Sequence, residues 1–313
     1  MIRDGSFIEV SEARERLELF LGKFRTTVPR IKESWKLLYE YASDIAYLYV
    51  LASGQKKLPV RLNSILKYAQ INLTYSTEKR MISDGMLRAE QDGFQIIVNS
   101  DIEYTRERTT IAHEIGHTLF YDPSYAPPRR VYAADFPQRK REEWVCFAFA
   151  RSLLLPKEFV TEQFRGALTG SAYRETTLLS NEISKLWKQS EVSFEILGLR
   201  LLSDLKLFPS AALIRGNIRS PGDRDINWSV SGSIIKKKSL PILGNNGILA
   251  KIIIPEVQAS ANFESHAQFG FDFSRGEQNY HFEMVTPPKE SKYIVYGLIA
   301  SSGKVDDAIS TSI

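Results

Sequence analysis

Over the first two-thirds of the chain, apolar positions recur mainly at steps of three and four; beyond Pro209 they fall mostly at steps of two. Leu17, Phe20, Leu21 and Phe24 share one helical face, which predicts a helix over Ser11–Phe24 that ends before Pro29. Trp35, Leu38, Tyr39, Ala42, Ile45, Ala46 and Tyr49 form a broader face and predict a longer helix over Lys32–Ala52, stopped by Ser53-Gly54. Pro59 opens a short helix carrying Leu62, Ile65, Leu66 and Ala69. The period then changes. Ile71, Leu73 and Tyr75 alternate, and the turns Asp84-Gly85 and Asp92-Gly93 bracket strands over Met86–Glu90 and Phe94–Val98. Together these predict a small antiparallel sheet. Helices are expected over 105–120 and 138–154, then a short one after Pro156 to Arg165, a loop at 166–170, and two more over Thr176–Gln189 and Ser193–Leu205.

Past Pro209, short β-rich runs alternate with Gly, Pro, Asn and Ser clusters, at Ala211–Ile214, Trp228–Ile235, Leu249–Ile254, Ala267–Phe273, Tyr280–Val285 and Tyr293–Ala300. Alternation through Phe269-Gly270-Phe271-Asp272-Phe273 reads as a half-buried strand, and the polar tail from Ser301 as frayed. The fold class expected is α+β, a helical domain with a small antiparallel sheet followed by a mainly β C-terminal domain. The division is 1–32, an N-terminal helical extension; 33–208, the main domain; and 209–313, a mainly β accessory or regulatory domain.

Composition narrows this little. Hydrophobic residues are 43% and charged residues 25% of 313, ordinary for a globular chain. A single cysteine excludes an intrachain disulfide and fits a reducing compartment. The net charge of +4 neither demands nor excludes nucleic acid. The basic run Lys236-Lys237-Lys238 has no neighbouring aromatic motif, and the helices over 176–205 are read more economically as core packing than as a helix-turn-helix, so direct nucleic-acid binding is not expected. No apolar run approaches the roughly 20 residues of a membrane span, and residues 1–30 show no signal-peptide pattern, so a cytoplasmic protein with no membrane partner is expected.

The chemistry is concentrated in Thr109-Thr110-Ile111-Ala112-His113-Glu114-Ile115-Gly116-His117. Residues four apart lie on one helical face, so His113 and His117 can reach a single metal ion. Glu114 stands beside them, placed to take a proton from water at that ion. A catalytic zinc takes three protein ligands and keeps one position open. Of the four histidines, His266 and His281 lie far off in the β-rich part, so a carboxylate is the better third ligand. Glu143, Cys146, Ala150 and Leu153 fall at steps of three and four, which turns Glu143 towards the core, while Glu142, about a hundred degrees round, is expected in solvent. Glu143 is therefore the candidate ligand. Cys146, a soft donor by type, is read as a small residue filling a helix–helix contact.

These residues resemble the ImmA/IrrE family of zinc metallopeptidases. The likeness rests on Arg106-Glu107-Arg108-Thr109-Thr110-Ile111-Ala112-His113-Glu114-Ile115-Gly116-His117, on Glu143, Cys146, Phe149-Ala150 and the Leu153-Leu154-Leu155-Pro156 close, and on Leu58-Pro59-Val60, the Asp84-Gly85 turn and Val192-Ser193. It runs from about residue 33 to 207. Thr109 replaces the family's Phe, Cys146 its small Ala, and Tyr121-Asp122 stands where Leu-His is frequent; none of these removes a ligand or the base. The resemblance implies a helical, zincin-like domain with Zn2+ held by His113, His117 and Glu143 and with Glu114 as general base. It further implies limited cleavage of a protein substrate, a helix-turn-helix DNA-binding repressor or antitoxin. Two rival readings are a partner that sequesters a regulator without cutting it, and a general peptidase without a regulatory partner. Tyr121, Tyr125 and Tyr132 are candidates for a second oxyanion donor. Arg129-Arg130 and Arg139-Lys140-Arg141 form a basic rim that could meet an acidic substrate segment, though charge runs are more often solvated loops.

Overall fold

The computed structural model describes residues 8–28, 36–77, 83–132, 136–165, 172–207, 211–218, 226–233, 270–275, 278–284 and 294–301. The expected loop at 166–170, the strand over Leu249–Ile254, the basic run Lys236–Lys238, Lys32–Trp35 and the tail beyond Ser301 lie outside the described residues. The chain divides into two compact units, Met1–Phe159 with Ser190–Ser193, and Val160–Gln189 with Phe194–Ile313.

In the first unit, α1 (Val10–Thr27) buries Ala13, Leu17, Leu21 and Phe24, and packs against α2 (Lys36–Ala52). The spacing of three and four makes this one face, and each fully buried Leu or Phe stabilises by about 1.5–3 kcal/mol. Every residue of α2 from Leu48 to Ala52 is buried, so this end of the helix is enclosed all round. Its partner there is α5 (Phe136–Leu154), with Tyr49 edge-on to Phe149 at 6.1 Å. α3 (Leu62–Tyr68) follows, burying Leu62, Ile65 and Leu66.

The small sheet contains β1 (Ile71–Ser76), β2 (Gly85–Glu90) and β3 (Gly93–Asn99) in the order β1-β3-β2. It is mixed. β2 and β3 pair antiparallel, as expected of a hairpin, but β1 and β3 run parallel. β3 carries the fully buried Ile96 and Val98, and it takes the central position where both its edges are paired. β2 is left as an edge strand. Gly93 closes the hairpin with φ +127°, a conformation that favours glycine. Gly85 is needed for a different reason: a Cβ there would stand 2.4 Å from Thr110 Cγ2. Its missing side chain lets β2 lie against α4 (Tyr104–His117).

A 3-10 turn, Thr118–Phe120, follows α4, and Phe120 meets Phe24 edge-to-face at 5.3 Å. The chain then makes a two-stranded ribbon, β4 (Tyr121–Asp122) with β5 (Arg129–Arg130), before entering α5. Arg108 ties α4 to the segment before α3. Its guanidinium is buried, donates to Val60 O at 2.9 Å and lies 3.4 Å from Glu191.

α6 (Lys157–Phe164) ends the first unit and opens the second, which continues with α7 (Ala172–Ser190) and α8 (Phe194–Gly198). The last helix expected from the sequence is thus short, and a π-helical turn, Leu199–Asp204, completes it. Next come β6 (Ala211–Ile218), β7 (Ile226–Ser233), β8 (Gly270–Arg275), β9 (Gln278–Met284) and β10 (Ile294–Ser301). These form a five-stranded antiparallel sheet in the order β7-β6-β10-β9-β8. The fold class is therefore α+β, mostly helical in the first part and β-rich in the last. Among the described residues no helix is long and apolar enough to cross a membrane.

Candidate metal centre

α4 and α5 pack closely because Gly116 faces α5. A Cβ on Gly116 would lie 3.1 Å from Cys146 Cα and 3.2 Å from Phe149 Cδ1. Cys146 is fully buried at this contact, which is the space-filling role expected of it, and burial pushes its thiol well above the ordinary range. A thiol so held is a poor metal donor at neutral pH, since the thiolate is the ligating form.

Across this contact the structure gathers His113, His117 and Glu143. His113 Nε2 stands 3.1 Å from His117 Nε2 and 3.0 Å from Glu143 Oε2, and His117 Nε2 stands 3.6 Å from Glu143 Oε1. In a tetrahedral site with ligand bonds of about 2.0–2.1 Å, neighbouring donors stand about 3.3 Å apart. The three separations scatter around that value. Two imidazole nitrogens turned on each other at 3.1 Å also need a cation, or one shared proton, to offset lone-pair repulsion. Two imidazole nitrogens and a carboxylate oxygen at these separations suit a divalent transition metal, zinc among them.

Glu114 is buried in the wall of the same cleft. Burial raises its carboxyl above the usual carboxylate range, against the pull of His117 and His113 and a backbone hydrogen bond from Leu87 on β2. Glu143 is held low, first by its hydrogen bond with His113. The cleft has a volume of about 600 Å³. Met86, Leu87 and Phe147 supply its apolar walls, and Arg106, Arg130 and Arg139 are among its polar ones. Phe147 is partly exposed and sits 4.2 Å, ring to ring, from His113.

One expectation is corrected. Glu142, expected in solvent, is fully buried, while the side chain of Glu143 is 42% exposed. At about 100° per residue, the centre of the buried face of α5 runs through Glu142, Cys146, Phe149 and Leu153. Glu143 and Phe147 lie at its edge, where the cleft opens. Glu143 thus reaches the histidines from the rim of the helix and not from its core. Glu142 accepts from His117 Nδ1 at 2.7 Å, Arg130 Nη1 at 2.6 Å and Tyr132 Oη at 2.5 Å. Burial alone would raise its carboxyl, but hydrogen bonds from His117, Tyr132 and Arg130 prevail and bring it down to about 2. His117 is raised on balance; burial opposes its charged form, and the Glu142 hydrogen bond outweighs that with help from the nearby carboxylates.

The sequence missed this role for Glu142. A glutamate at i, with Cys146 at i+4, Phe149 at i+7 and Leu153 at i+11, was the available signal. Of the tyrosine candidates, Tyr121 lines the cleft, Tyr132 is committed to Glu142, and Tyr125 is exposed with Arg129 over its ring. The basic rim divides: Arg130 is tied to Glu142, and Arg139 lines the cleft.

A helix carrying His-Glu-x-x-His, packed on a second helix that supplies a glutamate and flanked by an edge strand, is a helical, zincin-like arrangement. Residues 68–202 match the family model of the IrrE N-terminal-like domain, peptidase M78. No curated protein matches the chain. Among solved structures, a Mycobacterium tuberculosis transcriptional regulator is similar at 13% identity and a TM-score of 0.46, over 91% of this chain and 81% of that one.

Proposed function

We propose that the protein is a zinc-dependent endopeptidase that makes limited cuts in a protein substrate, a DNA-binding repressor or antitoxin of the helix-turn-helix kind, with the β-rich part from residue 209 as an accessory or regulatory domain. The observation that carries this reading is the convergence of His113 Nε2, His117 Nε2 and the Glu143 carboxylate in one open cleft, with Glu114 beside them. When bound, the metal supplies Lewis acidity that acidifies water and polarises the scissile carbonyl.

The chain's own residues do the rest. Glu114, its carboxyl raised by burial and oriented by the Leu87 N–H, takes a proton from the attacking water and returns it to the leaving amine. Tyr121, on the cleft wall, is the remaining tyrosine candidate for steadying the developing oxyanion. Edge strand β2 and Phe147 offer the substrate chain an apolar seat.

The test uses zinc-loaded wild type and Glu114→Ala, each incubated with the helix-turn-helix regulator encoded nearest the gene, with intact masses read out. Two fragments from wild type alone support the reading. Cleavage by Glu114→Ala at the wild-type rate overturns the role of Glu114. A stoichiometric complex without fragments turns the assignment towards sequestration.

A further inference from the structure

The buried carboxylate of Glu142 takes no part in the chemistry above, yet it collects three donors. Its side chain is 1% exposed, so water cannot solvate its charge, and Arg130 balances it from 2.6 Å. An ionised carboxylate only accepts hydrogen bonds. The proton in the 2.7 Å contact with His117 therefore sits on Nδ1, and in the neutral imidazole that a metal requires, the Nε2 lone pair faces His113 Nε2 and Glu143. His113 is built differently: its Nδ1 is buried and has no hydrogen-bond partner among the described residues. Arg130 is placed by the β4–β5 ribbon, where it pairs with Tyr121 and lays its guanidinium 5.0 Å over that ring. Tyr132, two residues further on, is half-buried.

We propose that Glu142 is a positioning residue which, braced by Arg130 and Tyr132, locks His117 in the Nδ1–H tautomer and so fixes one of the two imidazoles in the geometry that accepts the metal. The basic segment between the two metal helices is then a clamp on His117 as well as a rim of the cleft. His113 has no such brace on its Nδ1 among the described residues; its polar contacts are all made through Nε2, within the ligand cluster itself. This rests on the reading of His113, His117 and Glu143 as the metal ligands.

The test is made on the full chain, with Glu142→Gln, Tyr132→Phe and the double variant. Zinc affinity is measured by chelator competition, and the His117 tautomer in the metal-free protein by 15N chemical shifts of its four labelled histidines. Loss of an outer carboxylate partner typically weakens metal binding about 10–100-fold, and that is expected for Glu142→Gln, together with a population of the Nε2–H tautomer. Tyr132→Phe is expected to weaken binding by less, in the same direction. The double variant should fall short of the product of the two single effects, because both act through one network. Should Glu142→Gln fail to fold, Tyr132→Phe carries the same two readouts. Wild type that binds zinc, with variants unchanged in affinity and tautomer, overturns the proposal and leaves the metal site standing. Wild type that takes up no zinc overturns both.

Discussion

Gly116 lies between the two histidines, and replacing it with alanine tests how tightly α4 and α5 must meet. Two effects compete. A helix-interior Gly→Ala change ordinarily stabilises by about 1 kcal/mol, because the unfolded chain has less freedom to lose. Against this, the new methyl would stand 3.1 Å from Cys146 Cα, 3.2 Å from Phe149 Cδ1 and 3.3 Å from Cys146 Cβ. The nearest of these is backbone of α5, which cannot yield without moving the helix. Overpacking of this kind costs about 1–3 kcal/mol. The net expectation is a loss of roughly 1 kcal/mol, or about 2–4 °C in the melting temperature of a domain this size.

The contact also sets the spacing between His117 and Glu143, so zinc affinity should fall with stability. Gly22→Ala is the control: Gly22 sits inside α1, exposed, with nothing within 4 Å of an added Cβ, and the change there should stabilise. Urea denaturation and thermal melts of both variants supply the numbers. If Gly116→Ala were as stabilising as Gly22→Ala, with undiminished zinc affinity, the close approach of the two helices would play no part in building the site.

Two further outcomes follow from the packing. Arg108→Ala removes a buried guanidinium that donates to Val60 O, and should cost about 2–3 kcal/mol in a denaturant titration; a change under about 0.5 kcal/mol would show that the contact contributes nothing. Tyr49 is buried, and burial pushes its phenol from 10.0 up to about 12. The folded state favours the neutral phenol, so this contribution is complete below pH 10 and is lost as pH rises towards about 12. Tyr49→Phe should therefore flatten the alkaline fall in stability followed by circular dichroism between those values, and an unaltered fall would assign it to other groups.

Much of this arrangement was legible in residue spacing, and the illegible parts have physical causes. His113 and His117 needed only the helical repeat, since residues four apart share a face whatever surrounds them. The β2–β3 hairpin followed from turn chemistry at Asp92-Gly93. Which side β1 would join did not, because parallel pairing is decided by burial of Ile96 and Val98 and not by a local turn. Steps of three and four turn Glu143 towards the core on paper, whereas it faces the cleft and Glu142 fills the core position. A charge in an apolar stripe looks misplaced until its partners are known. Here they are His117 from α4 and Arg130 and Tyr132 from the connecting segment, and no sequence period brings those three together.

Whether one zinc is held by His113, His117 and Glu143 can be read by counting metal on the intact chain with native mass spectrometry. Wild type, Glu114→Ala and Glu142→Gln should each carry one zinc at saturation, while His117→Ala and Glu143→Gln should carry none at the concentration that fills wild type. Full zinc on Glu143→Gln with none on Glu142→Gln would contradict the assignment and move the third ligand to the buried glutamate.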